Sequence, residues 1–194
     1  MAADGPLRIL VLGDSLTAGW GLPAEAAFPA QLQRALAAQG RAVTVLDGGM
    51  SGDTSAGGLA RLDWALGGHP DAVIVELGAN DGLRGADPTE LQANLDAILT
   101  RLDQAGLPTL LAGMRAPPNY GKDYADRFAA VYARLAQTHK VVFYPFFLDG
   151  VAGRPGLNQA DGMHPAAQGV AEIVRRIRPT VERLLDRVKT SGAP

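Results

Sequence analysis

The sequence predicts an α/β fold of three layers, in which one parallel sheet of five strands lies between helices. Short apolar runs alternate along the chain with longer segments of helical periodicity, a pattern typical of strand–helix–strand units. The run Val73-Ile74-Val75 shows no polar alternation, as expected of a strand covered on both faces. Right-handed crossovers limit the possible topologies, and we expect the flavodoxin-like strand order 2-1-3-4-5.

Local sequence patterns place each element of this fold. The predicted strands are residues 7–12, 43–46, 72–77, 107–111 and 141–144, and the predicted helices are residues 29–39, 59–66, 88–104, 124–138 and a final amphipathic segment that begins at or shortly after residue 165. Pro29 starts the first of these helices and Gly40 stops it. The helix over 88–104 carries its leucines and its isoleucine on one face. Pro179 is expected to kink or restart the final helix.

Composition indicates one globular domain over residues 1–194, with a core over about 6–188. The chain is 47% hydrophobic and 20% charged, which is enough for a substantial core. A formal net charge of -2 without a basic cluster argues against nucleic-acid binding. No run is long and apolar enough to span a bilayer, so we expect no stable membrane insertion. The oligomeric state stays open, and a monomer is compatible with the composition.

Cysteine is absent from the chain, which excludes disulfides, zinc–thiolate sites and cysteine nucleophiles. The same absence leaves the cellular compartment open. Residues 1–4 contain no apolar segment before the first strand. We therefore expect either a cytoplasmic protein, or a periplasmic or secreted one from which a signal peptide was removed and a new Met added.

Two short polar segments, one near each end of the chain, contain residue types that act together in nucleophilic catalysis. Ser15 follows the first strand, while Asp161 and His164 share one short loop before the last helix. A serine hydroxyl is a poor nucleophile unless an imidazole takes its proton and a carboxylate fixes the imidazole tautomer. The three residues therefore indicate a nucleophile, a general base and an orienting acid. Asp14 is expected to brace the loop instead, because adjacent residues leaving a strand point apart.

The predicted strand order also brings hydrogen-bond donors to Ser15. Strands 1 and 3 are neighbours in that order, and ligands bind outside the carboxyl ends of the strands at such a switch point. Acyl transfer needs donors where the carbonyl oxygen becomes an oxyanion. We predict three of them: the N–H of Ser15, the N–H of Gly52 and the side-chain amide of Asn80. Glycine is expected at 52 because a Cβ there could block the approach of backbone to substrate.

Four sequence blocks carry a resemblance to a known family. They are Gly13-Asp14-Ser15-Leu16, Gly52, Gly78-Ala79-Asn80-Asp81 and Asp161-Gly162-Met163-His164. These blocks resemble those of the SGNH/GDSL hydrolases. Further similarity over residues 51–55, 76–85 and 115–121 extends the match to the bacterial thioesterase I/lysophospholipase/arylesterase branch.

The resemblance implies ester hydrolysis through an acyl-enzyme on Ser15. It places Asp161 and His164 in the catalytic triad, and Gly52 and Asn80 in the oxyanion hole. The expected partner is a small-molecule ester or thioester. Aryl esters and short to medium acyl esters are preferred, thioesters and lysophospholipids are further substrates, and no cofactor is required.

Apolar side chains cluster in the loops predicted around Ser15. We expect substrate contacts from Met50, Met114, Arg115, Ala116, Tyr120 and Met163. The apolar members would form a groove for an acyl or aryl group, since methionine adapts to several shapes. Arg115 could meet an anionic head group, whereas Arg84 is expected to be a solvated surface residue.

Two positions depart from the family pattern. Ala79 stands where glycine is common, a change that should not remove the Asn80 donor. Ala116 stands where a bulkier apolar residue is expected. Because the resemblance suggests that the loop of Ala116 lines the acyl pocket, the preferred chain length is left open.

Other interpretations of these segments are weaker. Taken alone, Ser15 could cap a helix and Asn80 could belong to a turn. Residues 19–24 match the dinucleotide fingerprint Gly-x-Gly-x-x-Ala, but they begin well beyond the strand end, and Pro23 disturbs the required geometry. A Gly-x-Ser-x-Gly motif is absent, which argues against an α/β-hydrolase elbow.

Three scattered histidines argue against a metal site. His69 and His139 are expected at the surface. A carbohydrate-ester deacetylase with the same triad and a noncatalytic ester- or acid-binding module remain as alternatives.

Overall fold

Five parallel strands form one sheet in the computed structural model, which describes residues 5–191. The strands are β1 (Leu7–Gly13), β2 (Val43–Gly49), β3 (Ala72–Glu76), β4 (Thr109–Ala112) and β5 (Val142–Tyr144). Their order is β2-β1-β3-β4-β5, so the predicted flavodoxin-like order is confirmed. The predicted domain over 1–194 includes residues 1–4 and 192–194, which lie outside the described residues.

Helices cover the sheet and connect its strands. They are α1 (Ser15–Ala18), α2 (Phe28–Ala37), α3 (Ser55–Ala60), α4 (Leu62–Leu66), α5 (Ala79–Leu83), α6 (Pro88–Gln104), α7 (Lys122–Thr138) and α8 (Ala167–Ser191). The sequence missed α1 and α5, which have four and five residues and are too short for a periodic pattern. The predicted helix over 59–66 covers α4 but only the last two residues of α3.

The last helix corrects an expectation about Pro179. This proline lies inside the continuous helix α8, so the expected restart is wrong. Val174, Ile177, Val181 and Leu184 are all buried, and they form one apolar face that passes the proline. Packing of that face outweighs the hydrogen bond that proline removes, because most helical stability in proteins comes from tertiary contacts.

The core lies on both faces of the sheet. All five residues of β3 are buried, as the unbroken apolar run predicts. On α6 the four apolar side chains of the predicted face are each 0% exposed: Leu91, Leu95, Ile98 and Leu102. Burial of one such side chain contributes about 2 kcal/mol, and this packing fixes the framework on which the loops are held.

Strand register brings three loops to one edge of the sheet. Gly13 at the end of β1 lies opposite Gly49 of β2 and Glu76 of β3. A Cβ on Gly13 would lie 2.2 Å from Thr17 Oγ1 and 3.0 Å from Glu76 Oε2, so only glycine fits there. The residues that follow these strand ends therefore emerge side by side.

Candidate active site

The structure joins Ser15, His164 and Asp161 in one hydrogen-bonded line. Ser15 is the first residue of α1, directly after β1. Its Oγ lies 3.0 Å from His164 Nε2, and His164 Nδ1 lies 2.6 Å from Asp161 Oδ2. The sequence separation between Ser15 and His164 is 149 residues. The arrangement is suited to proton transfer from the serine hydroxyl, because the imidazole contacts the hydroxyl on one side and the carboxylate on the other.

Asp161 is held in its ionised form by the loop that carries His164. Its Oδ1 accepts the backbone N–H of Met163 at 2.9 Å and that of His164 at 3.0 Å. The hydrogen bond from the His164 side chain, followed by these two backbone bonds, lowers the pKa of Asp161 to about 2. A carboxylate that remains charged near neutral pH can fix the tautomer of the imidazole and stabilise its protonated form.

Two backbone donors near Ser15 have no acceptor within the described residues. The N–H groups of Ser15 and Gly52 make no hydrogen bond to protein in that part of the chain. Gly52 has φ +86, and a Cβ added there would meet no atom within 4 Å. Glycine is therefore required by the left-handed backbone and not by protein atoms nearby. The reason expected from the sequence, a Cβ that blocks the approach of the substrate, stays a prediction.

The side-chain amide of Asn80 lies in the same place. Asn80 is the second residue of α5, which begins after the left-handed Gly78. Its Nδ2 donates to Asp53 O at 2.8 Å and to Asp14 Oδ2 at 3.3 Å. The second of these bonds is long, so its hydrogen is the one more easily redirected to an oxyanion.

Arginine side chains hold the loop that contains Gly52. Arg61 forms an ion pair with Asp53 and donates from Nη2 to Gly13 O at 2.9 Å. It thereby connects the loop after β2 to the end of β1. Arg84 donates from Nη2 to Gly52 O at 3.1 Å. Although Arg84 is exposed, it is not simply solvated as expected, because it holds the Gly52 peptide.

Two buried carboxyl groups lie near the end of β1, and within the described part of the chain neither is hydrogen-bonded to the side chain of Ser15, His164 or Asp161. Asp14 caps α1, accepting the Leu16 N–H at 2.9 Å; with the contact to Asn80, this is the bracing role expected for it. Glu76 at the end of β3 is also fully buried, and neither of its carboxyl oxygens has a well-placed hydrogen-bond partner among the described residues. Burial raises the pKa of Asp14 to about 6. Burial and the neighbouring Asp14 raise the pKa of Glu76 well above its usual value.

Replacing Asp14 with asparagine is expected to remove a pH-dependent part of the stability. The folded pKa of about 6 lies above the ordinary value of 3.8. The carboxyl therefore stabilises the fold below about pH 4, and this contribution is lost as the pH rises through 6. The difference between the two pKa values corresponds to about 3 kcal/mol. Urea unfolding at pH 4 and pH 7 measures most of it: between these two pH values the free energy of unfolding should fall by about 2 kcal/mol more in the wild type than in Asp14→Asn.

Asparagine caps helices about as well as aspartate, so this comparison isolates the charge. An equal pH dependence in the two proteins would contradict the assignment of a raised pKa to Asp14.

A cavity of about 620 Å³ opens beside Ser15 and His164. Its apolar lining comes from the segments after β1, β3, β4 and β5 and from the loop of His164: Leu16, Ala79, Leu83, Met114, Ala116, Pro117, Pro118, Phe146, Leu148, Ala152 and Met163. Arg115 also lines it, and its guanidinium lies 4.5 Å from the centroid of the Phe146 ring. Volume and lining fit a small-molecule site that accepts an apolar group.

Four of the six predicted substrate contacts line this cavity: Met114, Arg115, Ala116 and Met163. Met50 and Tyr120 do not. Met50 is 48% exposed beside the end of β2. Tyr120 donates to Leu83 O at 3.0 Å and packs on Tyr124 with ring centroids 5.2 Å apart, so it supports α5 from outside.

The sequence analysis missed several lining residues. Leu83, Pro117, Leu148 and Ala152 line the cavity and were not expected to do so. Their positions just beyond strand ends are the one feature that could have indicated them. Phe147, in the same apolar loop as Leu148, is a core residue and packs edge-on against Phe28.

Of the other two histidines, His139 is only partly exposed, less than expected, and His69 is exposed, as expected. His139 ends α7, and its Nε2 lies 2.8 Å from Asp96 Oδ1. Within residues 5–191, no group of three His, Asp or Glu side chains is placed to hold a metal ion. None of the helices described there combines the length and hydrophobicity needed to cross a bilayer.

Comparisons with known proteins identify relatives of the whole domain. Residues 11–171 match the GDSL-like Lipase/Acylhydrolase family. The chain is 44% identical to esterase TesA of Pseudomonas aeruginosa over 178 residues, 91% of this chain and 89% of the relative. It is 43% identical to an arylesterase of Vibrio mimicus, covering 89% and 88% of the two chains. It is also 43% identical to thioesterase 1/protease 1/lysophospholipase L1 of Escherichia coli K12, covering 84% and 76%.

A solved structure shows the same fold. The crystal structure of TesA matches with a TM-score of 0.87 and 43% identity, over 91% of this chain and 99% of that chain. The family match includes Ser15, Gly52, Asn80 and His164, and it extends over most of the chain. The chain therefore belongs to the GDSL-like lipase/acylhydrolase family and is a serine esterase of the SGNH type.

Proposed function

We propose that the protein hydrolyses carboxylic esters through an acyl-enzyme on Ser15, with His164 as general base and acid and Asp161 as the orienting carboxylate. The observation that carries the proposal is the pair of contacts at 3.0 Å and 2.6 Å that joins these three side chains. Family membership supports ester hydrolysis. The free N–H groups of Ser15 and Gly52, with the amide of Asn80, support stabilisation of an oxyanion.

The reaction proceeds in two half-reactions. Ser15 Oγ attacks the carbonyl carbon while its proton passes to His164 Nε2, and the carbonyl oxygen becomes an oxyanion facing the three donors. His164 then gives the proton to the leaving oxygen or sulfur, and the alcohol or thiol departs. A water molecule repeats the attack on the acyl-enzyme with His164 again as base, which releases the acid and restores Ser15.

Substrates are proposed to be aryl esters and short to medium acyl esters. The acyl group would occupy the cavity beside Ser15, whose lining is mostly apolar. Thioesters and lysophospholipids are further substrates, since a relative of 43% identity is named thioesterase 1/protease 1/lysophospholipase L1. The lining offers few polar groups to a sugar ring, so it favours an acyl esterase over a carbohydrate-ester deacetylase.

Trapping of the acyl-enzyme tests this function. The protein is mixed with 4-nitrophenyl butyrate, quenched in acid and digested, and the release of 4-nitrophenol is followed in parallel. We expect a burst of 4-nitrophenol equal to the enzyme concentration and one butyryl group on the peptide that contains Ser15. Binding without phenol release would indicate a noncatalytic module. Much faster hydrolysis of acetyl-xylan than of aryl butyrates would indicate the deacetylase.

Replacing Ala116 with phenylalanine is expected to shorten the preferred acyl chain. Ala116 lines the cavity and is only partly buried, so a larger side chain would fill space otherwise open to the substrate. Displacing two methylene groups costs about 1.6 kcal/mol, so the ratio of kcat/KM for octanoyl and acetyl 4-nitrophenyl esters should fall about tenfold.

A matched control is Ala129→Phe, because Ala129 lies exposed on α7 and should leave the ratio unchanged. An unchanged chain-length profile in Ala116→Phe would show that the acyl group binds elsewhere.

A further inference from the structure

An exposed tryptophan lies beside His164 and outside the lining of the acyl cavity. Trp20 is 56% exposed. Its ring centroid is 6.2 Å from that of His164, with 39° between the ring planes. Aromatic rings interact over such distances. Trp20 is thus in contact with His164, the residue that exchanges protons with the substrate, and more than half of Trp20 stays accessible to a ligand.

The backbone of Trp20 is fixed on both sides. Its N–H donates to Ser15 O at 3.1 Å, and its C=O accepts from Gln159 Nε2 at 2.7 Å. The flanking Gly19 and Gly21 both have φ +74. A Cβ on Gly21 would lie 2.4 Å from Gln159 Oε1. The Gly-x-Gly pattern that resembles a dinucleotide fingerprint thus fixes the backbone position from which the exposed indole extends.

The same glutamine binds the loop of His164. Its backbone N–H donates to His164 O at 2.8 Å, and its side chain donates to Pro165 O at 3.1 Å. Gln159 therefore connects the loop of Trp20 to the loop of the general base. The backbone that carries the indole and the backbone that carries the imidazole are thereby held together through one side chain.

The contact between His164 and Trp20 indicates where a leaving group would lie. The acyl group and the leaving group extend in different directions from the carbonyl carbon, and the acyl group occupies the cavity lined by the segments after β3, β4 and β5. His164 must contact the leaving oxygen to protonate it. A ring attached to that oxygen would therefore lie next to His164, whose imidazole centroid is 6.2 Å from that of the indole.

We propose that Trp20 is a specificity-determining residue that stacks on the leaving group and favours aryl over alkyl leaving groups. This inference rests on the proposed acyl-enzyme function. Because the acyl-enzyme is the same for all leaving groups, Trp20 acts on acylation and not on deacylation. A substitution of Trp20 should therefore change kcat/KM, which reports on acylation.

Leaving-group selectivity in Trp20→Ala tests the inference. The substrates are phenyl butyrate and ethyl butyrate, which share the acyl group, and the variant-to-wild-type ratio of kcat/KM cancels their different intrinsic reactivities. Loss of a stacking contact should lower kcat/KM for phenyl butyrate about tenfold. The value for ethyl butyrate should change less than about threefold. The dependence on acyl chain length, measured with phenyl esters, should be that of the wild type.

Trp64→Ala is the matched control, since Trp64 is 77% exposed on α4 and does not line the cavity. It should leave both esters unchanged. Equal losses of the two esters in Trp20→Ala would overturn the inference, as would restoration of aryl preference by Trp20→Leu, which has apolar area but no ring.

Covalent labelling separates the two levels of the proposal. A fluorophosphonate carries no aryl leaving group, so it should label Trp20→Ala at the wild-type rate. Normal wild-type turnover with equal losses in Trp20→Ala overturns only the role of Trp20. A wild-type protein that neither hydrolyses esters nor reacts with the probe overturns the proposed function as well.

Discussion

Replacing Ser15 with alanine is expected to lower kcat for ester hydrolysis by on the order of 10⁵-fold, because no other hydroxyl is in contact with His164 Nε2 among the described residues. Within the described residues, Ser15 Oγ is hydrogen-bonded to the imidazole of His164 alone. The backbone hydrogen bonds of α1 do not involve this hydroxyl. The melting temperature should therefore change by less than about 2 °C. Initial rates with 4-nitrophenyl butyrate, together with thermal unfolding of the same preparations, measure both quantities.

The variant His164→Ala tests whether Ser15 and His164 act together in proton transfer. Residues that act together in proton transfer show non-additive losses, so Ser15→Ala/His164→Ala should be about as slow as either single variant. Preserved hydrolysis in Ser15→Ala would exclude the acyl-enzyme mechanism.

Replacing Asn80 with alanine is expected to lower kcat about 10²- to 10³-fold with little change in KM. The loss follows from removal of one donor to the oxyanion, which exists in the transition state and not in the bound ester. The amide also bonds to Asp53 O and Asp14 Oδ2, so part of any effect could reflect a disturbed loop. Separate measurement of kcat, KM and the free energy of unfolding distinguishes the two.

Asn94→Ala is the matched substitution for that purpose. Asn94 Nδ2 donates to Ser55 Oγ at 3.0 Å, and Ser55 in turn is bonded to Asp81. The substitution therefore removes an amide that bonds to Ser55, the partner of Asp81 next to Asn80 in the chain, and it leaves the hydrogen bonds of Asn80 in place. It should lower stability with kcat largely retained. Similar kcat losses in Asn80→Ala and Asn94→Ala would show that Asn80 is structural.

Strand order and most helices could be predicted from the sequence because their causes are local or topological. The run Val73-Ile74-Val75 is apolar because β3 is covered on both faces. Parallel strands with right-handed crossovers leave few possible orders. The short helices α1 and α5 were missed because each depends on a single turn after a strand end and on the caps Asp14 and Gly78. Such turns have no periodicity to detect.

The site was less uniformly predictable. The residues Ser15, Asp161 and His164 could be grouped by chemistry and topology, since each lies beside a strand end or in a short loop. It could not be inferred that Met50 and Tyr120 lie outside the cavity lining, because membership of a loop does not fix the direction of a side chain. Nor could the burial of Glu76, which depends on its register opposite Gly13. Tertiary packing decides these features.

The most direct test of the central claim is the mass of the intact protein and of its peptides after treatment with a fluorophosphonate. An activated serine predicts one adduct, located on the peptide that contains Ser15 and lost in His164→Ala. No adduct at millimolar reagent on the folded protein, or an adduct at another residue, would contradict the claim that His164 activates Ser15.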